Sequence, residues 1–258
     1  MSREFEELPS MPFLDHLEEL RTRILRSLMG VAAAYALALL ASPAPWSLIV
    51  RPFEQAKLLL PGSAVTLAAL DPTESFTVIW IQVPTLCAIF LASPWVLYQV
   101  WSFIAPGLYR RERSLAASFV LSASGLFVAG GVFAYAVALP SALAFLLSIG
   151  AANGVSNVVS VSRYVDIAIG VIAGMGLVFQ LPVFIAFLAV LRLVTPGFLL
   201  RNARYSLLGI VIVAAVVTPT QDILSLLLVA VPMMVLYFAG VFAAWMVTRG
   251  RRAEQGLR

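Results

Sequence analysis

An all-α membrane protein with six transmembrane helices and both termini cytoplasmic is the fold class this sequence predicts, on three observations. Apolar residues make up 61% of the 258 residues and charged residues only 12%, about half the charged share of a soluble domain, so lipid is the main solvent. The charges are segregated, leaving charge-free stretches at 27–50, 75–109, 114–162, 167–191, 205–221 and 223–248. Each can supply the ~20 apolar residues that cross about 30 Å of hydrocarbon. With six crossings, fourteen of the seventeen Lys and Arg residues fall on one side, leaving Arg51, Lys57 and Arg163 on the other. The richer side is cytoplasmic by the positive-inside rule. The stretch 114–162 has room for two helices, but a seventh crossing there puts Arg192, Arg201 and Arg204 on the wrong side.

The elements follow in order within a single polytopic membrane domain, 1–258. Residues 12–23 read as a short amphipathic helix on the cytoplasmic face, with Phe13, Leu17, Leu20 and Ile24 at three- and four-residue intervals and Asp15, Glu18 and Glu19 elsewhere around it. The first span is expected at about 24–41, where Arg26 snorkels to the interface. Pro43 and Pro45 should stop it. In the external segment, 46–49 and 58–60 are apolar but too short to span, and should lie along the interface. The second span covers about 76–98, interrupted by Pro84 and Pro94. The third covers about 114–139, with Pro140 marking a kink or an exit, and a polar loop at 151–162 leads to the fourth at about 164–191. The last two, about 205–218 and 223–247, flank the turn Thr218-Pro219-Thr220-Gln221-Asp222. From Arg204 to Thr218 is only about 21 Å of helix, so the turn lies below the outer surface, the bilayer thins there, or a tilted neighbour fills the gap.

Several function classes are excluded. The first twelve residues hold Glu4, Glu6 and Glu7 and no short apolar core, so no cleavable signal peptide is expected. Cys87 is the one cysteine, so no intrachain disulfide can form. The net charge of +4 comes from basic residues at helix ends, which topology explains without nucleic acid. A zinc protease needs two histidines at helical spacing, and His16 is alone. No intramembrane histidine is present to activate a serine. Asp166 and Asp222 both lie near external helix ends without a preceding Gly-x-Gly, and no phosphate-cradling Gly-x-x-x-x-Gly-Lys run exists. The chain reads as a non-enzyme without metal or other cofactor.

The joints between helices resemble one family. His16-Leu17-Glu18-Glu19-Leu20-Arg21-Thr22-Arg23 resembles the segment that opens TatC proteins. Tyr98-Gln99-Val100-Trp101-Ser102-Phe103-Ile104-Ala105-Pro106-Gly107-Leu108-Tyr109, followed by Glu112-Arg113, is similar to that family's first cytoplasmic loop. Phe179-Gln180-Leu181-Pro182-Val183 resembles its fourth-helix motif, and Thr218-Pro219, Asp222, Ser225, Ala230, Pro232 and Leu236-Tyr237 resemble its final hairpin. Many relatives carry Glu where this chain has Gln180 and Phe238, so a proton relay at position 180 is not expected.

The resemblance implies a bent, glove-like helical fold and a receptor for twin-arginine signal peptides. The receptor would sit in a Sec-independent translocase that exports folded proteins on the proton-motive force. It also implies single-helix TatA and TatB partners, a homo-oligomer within the complex, and a prokaryotic cytoplasmic membrane. Under it, Glu19 and Glu112 form one site for the paired arginines, since a carboxylate can take a guanidinium in a bidentate, charge-assisted pair. Arg21, Arg23, Phe103, Pro106, Leu108 and Tyr109 would complete that site. Read from residues alone, Glu19 makes a helix pair with Arg23 and Glu112 neutralises its basic neighbours. Gln180, Thr218 and Asp222 are candidate contacts for partner helices. For Gln180 a hydrogen bond inside the chain is the alternative, and for Asp222 a cap on the sixth helix. A secondary transporter of a small solute is the competing class, since broken helices and an intramembrane glutamine would suit one.

Overall fold

The computed structural model describes residues 13–41, 45–60, 65–104, 116–154, 157–218 and 222–255. Helix α1 (Phe13–Ala41) is continuous, so the expected amphipathic helix and the first span are one element. Nothing between Pro12 and Pro43 interrupts it, because no proline or charged break separates the two halves. Helix α2 (Trp46–Leu58) buries Ile49, Pro52, Phe53 and Ala56. Strand β1 (Val65–Ala68) follows.

The second span is longer than expected. Helix α3 (Pro72–Thr77), a π-helical turn (Val78–Gln82) and helix α4 (Val83–Ile104) run on without a break. The third also differs from expectation: helix α5 (Ala116–Phe133), a second π-helical turn (Ala134–Ala138) and helix α6 (Leu139–Ala152) carry it past Pro140. Both π turns end two residues before a proline, Pro84 and Pro140. A proline clashes with the carbonyl four residues back, and a widened turn placed there lets the helix continue.

Strand β2 (Asn157–Ser160) pairs in parallel with β1, Val65 opposite Asn157 and Ala68 opposite Ser160. This small sheet is an addition to the all-α expectation. The fourth span is split into α7 (Val161–Val178) and α8 (Leu181–Val190). Pro182 has no amide to give to the carbonyl of Val178, so the first helix closes on Gln180 N–H to Leu177 O at 3.0 Å and the second restarts from Phe184 N–H to Gln180 O at 2.9 Å. Helix α9 (Pro196–Arg201) precedes α10 (Ala203–Val217), and α11 (Ile223–Gln255) ends the described chain.

Among the described residues, five helical runs are long and apolar enough to cross a membrane: His16–Leu40, Pro72–Ile104, Ser118–Ala152, Val161–Val190 and Ile223–Met246. The expected fifth span is the exception. Helix α10 has 15 residues, or about 22 Å, and reaches part of the way. The chain is a multi-pass helical membrane protein.

The core is centred on α7, whose Tyr164, Val165, Ala168 and Met175 are fully buried among α2, α4, α6 and α11. Helix α5 meets α7 closely: a side chain on Gly130 would stand 2.5 Å from the carbonyl of Met175. Helix α1 stands outside this core and docks on α4 through Ala34, Ala88 and Ala92. That docking positions the candidate site.

Candidate functional site

Glu19 and Arg23 share one face of α1 because they are four residues apart. Arg23 Nη2 donates to Glu19 Oε1 at 3.2 Å, and Arg23 Nη1 donates to Gln99 Oε1 on α4 at 3.1 Å. Gln99 is 1% exposed. The side chains of Arg23 and Glu19 are 22% and 19% exposed, so this is a half-buried cluster and not the free surface pair that helical spacing alone describes. The second carboxylate oxygen, Glu19 Oε2, is buried and has no hydrogen-bond partner among the described residues. A buried carboxylate oxygen left unpaired is costly, and a cation is the natural partner for it.

The cluster is held by interlocking helices. Trp95 Nε1–H donates to the carbonyl of Arg26 at 2.9 Å. Gly30 lies against the same indole, where an added Cβ would fall 2.2 Å from Trp95 Cδ1. One turn toward the N-terminal end of α1, the His16 ring stacks on Phe103 with centroids 4.4 Å apart and planes 18° apart. Deeper in the protein, Trp101 stacks on Phe119 and meets Phe187 edge-on.

Of the residues expected at this site, Glu19 and Arg23 are bonded together and Phe103 stacks on His16, three residues before Glu19 on α1. Arg21 is exposed on another face of α1. Glu112, Pro106, Leu108 and Tyr109 lie outside the described residues. Sequence reasoning assigned no role to Gln99 or His16. Gln99 was visible only as a polar residue in the aromatic run that closes the second span.

The other three candidates are engaged within the chain. Gln180 Nε2 donates to the carbonyl of Ala123 on α5 at 2.9 Å, a hydrogen bond inside the chain. Thr218 is buried and its hydroxyl donates to Ala214 O at 2.9 Å. Asp222 Oδ1 accepts from the amide of Ser225 at 2.7 Å and so caps α11. Thr218 and Ser225 line a small cavity with Ala138, Ala142, Val171 and Leu228. Gln180 is not part of it.

A polar seam at the opposite end of the second span and α7 went unread in the sequence. Gln82 Nε2 donates to Asp166 Oδ1 at 2.6 Å, tying the π turn of the second span to α7. Glu74 accepts from Ser160 Oγ at 2.9 Å and from the amide of Leu70 at 3.0 Å. Asp71 caps α3 through Thr73 N–H at 2.8 Å, and its hydrogen bonds with Thr73 hold this carboxyl below its ordinary pKa. The Glu74–Ser160 bond ties α3 to strand β2.

Comparison with known proteins agrees at every level. The family model described as Sec-independent protein translocase protein (TatC) matches residues 15–232. A Sec-independent protein translocase protein TatC of Koribacter versatilis is 40% identical over 250 residues, covering 97% of this chain and 91% of that protein. The corresponding protein of Deinococcus radiodurans is 35% identical over 239 residues, covering 91% and 86%. A crystal structure of the twin-arginine translocase receptor TatC in the detergent DDM superposes with a TM-score of 0.76 at 28% identity, covering 89% of this chain and 99% of that one. These matches set aside the solute-transporter alternative.

Proposed function

The chain belongs to the TatC family of Sec-independent protein translocase proteins, and on that premise we propose that it is the receptor for twin-arginine signal peptides. It is a component of a protein translocase, a transport protein. The observation that carries the receptor reading is the half-buried Glu19 carboxylate, with one oxygen held by Arg23 and the other buried without a partner among the described residues. Arginine is the cation that best fits such an acceptor, since its guanidinium is always charged and weakly hydrated. Glu112 supplies the second carboxylate, so that paired arginines meet paired acids. Phe103, Pro106, Leu108 and Tyr109 shape the surface around them. Exposed Arg21 repels wrongly placed cations and orients the helix.

The N-terminal end of α1 then faces the cytoplasm, where an unexported peptide arrives, and both termini lie on that side. In this reading the chain works in the cytoplasmic membrane of a prokaryote, with TatA and TatB as single-helix partners, further copies of itself in the complex, and the proton-motive force as energy source. Gln180 spends its described hydrogen bond on α5, and Thr218 and Asp222 spend theirs on the two helices of the last hairpin, which favours a role in shaping the surface that partner helices meet over direct bonding to them.

A photo-reactive residue at position 103 tests this reading in membranes. Capture of a twin-arginine signal peptide, with a twin-lysine peptide left uncaptured, is the expected result. Equal capture of both, or of neither, contradicts it.

A further inference from the structure

We propose that Arg23 and Gln99 are positioning residues. They hold Glu19 in a single orientation that keeps Oε1 occupied and leaves Oε2, without a partner among the described residues, as the acceptor for a guanidinium. The inference rests on the receptor reading above and deepens it by assigning how the carboxylate is prepared.

The geometry separates this role from simple occlusion. An arginine that competed for Glu19 would take both carboxylate oxygens in a parallel fork, the strongest arrangement open to it. Arg23 instead divides its two terminal nitrogens between two acceptors, Glu19 Oε1 at 3.2 Å and Gln99 Oε1 at 3.1 Å. Gln99 is buried on α4, and α4 is fixed to α1 by Trp95 and Gly30. The chain of bonds therefore runs from a rigid helix pair through a planar guanidinium to one carboxylate oxygen. A long acidic side chain held this way loses little rotamer freedom when its ligand arrives. The other oxygen, buried and without a partner among the described residues, is left for the ligand. The ligand is an arginine-bearing peptide segment, bound at this carboxylate through one oxygen.

Equilibrium binding of a fluorescent twin-arginine peptide and its twin-lysine version to the full chain in phospholipid nanodiscs tests the proposal. The variants are Glu19→Gln, Arg23→Gln, Arg23→Lys, Gln99→Leu and Gln99→Glu, with the double variant Arg23→Gln/Gln99→Leu. Arg23→Gln and Gln99→Leu should each weaken the arginine peptide about tenfold, the size of one charge-assisted hydrogen bond. Binding of the lysine peptide should barely move. The double variant should be no weaker than Arg23→Gln alone, because both changes cut the same chain. Arg23→Lys should recover part of the loss, since lysine reaches only one acceptor well. Gln99→Glu, which keeps an acceptor for Arg23, should bind like the unaltered protein. That contrast with Gln99→Leu decides the matter even if Arg23→Gln does not fold. Arg23→Gln binding as tightly as the unaltered protein or more tightly would overturn positioning in favour of occlusion. So would equal affinities for Gln99→Leu and Gln99→Glu. If Glu19→Gln itself leaves binding unchanged, the receptor reading at this residue fails, a different result from failure of the positioning role.

Discussion

The hydroxyl of Tyr35 on α1 donates to the carbonyl of Trp80 at 3.2 Å, and Trp80 stands four residues before Pro84, which has no amide to offer that carbonyl. The same repair recurs. Tyr135 donates to Leu48 O at 2.7 Å, four before Pro52, and Ser93 donates to Phe90 O at 2.8 Å, four before Pro94. Within a span no water can satisfy a carbonyl that proline strands, so at Trp80 and Phe90 side-chain hydroxyls supply the donors, and Leu48 O on α2 is met in the same way.

Tyr35→Phe should therefore destabilise the protein by about 0.6 kcal/mol, the average for a hydrogen bond within a membrane bundle. Pro84→Ala restores the backbone donor, so adding Tyr35→Phe to Pro84→Ala should cost less than it does alone. Unfolding midpoints of the two single variants and the double variant in one detergent check the coupling.

Gly30→Ala should loosen the docking of α1 on α4, because its Cβ would fall 2.2 Å from Trp95 Cδ1 and the indole must move. An overpacked contact of this kind costs about 1–3 kcal/mol. Since Trp95 also bonds Arg26 O next to the cluster, signal-peptide affinity should fall with stability. Cysteine pairs between the two helices would report the loosening through slower disulfide formation.

Asp222→Ala should cost about 1 kcal/mol and Asp222→Asn little, because asparagine caps as well as aspartate and the bond to replace is Ser225 N–H to Oδ1. Export should follow the same order. Loss of export in Asp222→Asn at unchanged stability would show that the negative charge has a further task.

Arg192 ends the fourth span with φ 62°, in the left-handed region. Leu193 N–H reaches Leu188 O at 2.9 Å and Arg192 N–H reaches Ala189 O at 3.1 Å, the pair of bonds that closes a helix on a residue usually glycine. Arg192→Gly should stabilise the chain by up to about 1 kcal/mol, less whatever the arginine charge contributes at the helix C-terminus. Thermal unfolding measures the balance.

How much of this was legible in the sequence differs element by element. The apolar runs show through composition alone, because lipid permits few charges along a span. The Glu19–Arg23 spacing and the capping aspartate are local patterns and can be read directly. Proline misled the reading at position 140, since a π turn upstream is a backbone adjustment with no residue signature. It did so again at 182, where a continuous helix was expected and two were found. Gln99 joins Arg23 from 76 residues away, and Gln82 joins Asp166 from 84 away. Neither partner carries a periodic signal. Four-residue strands drawn from loops so distant in sequence are equally invisible until the helices bring them side by side.

Binding of a labelled twin-arginine signal peptide to the purified chain, beside a twin-lysine version, tests the receptor reading most directly. The account predicts clear preference for the arginine peptide, and loss of that preference in Glu19→Ala combined with Glu112→Ala. Unchanged preference in the double variant, or no preference in the unaltered protein, would contradict it.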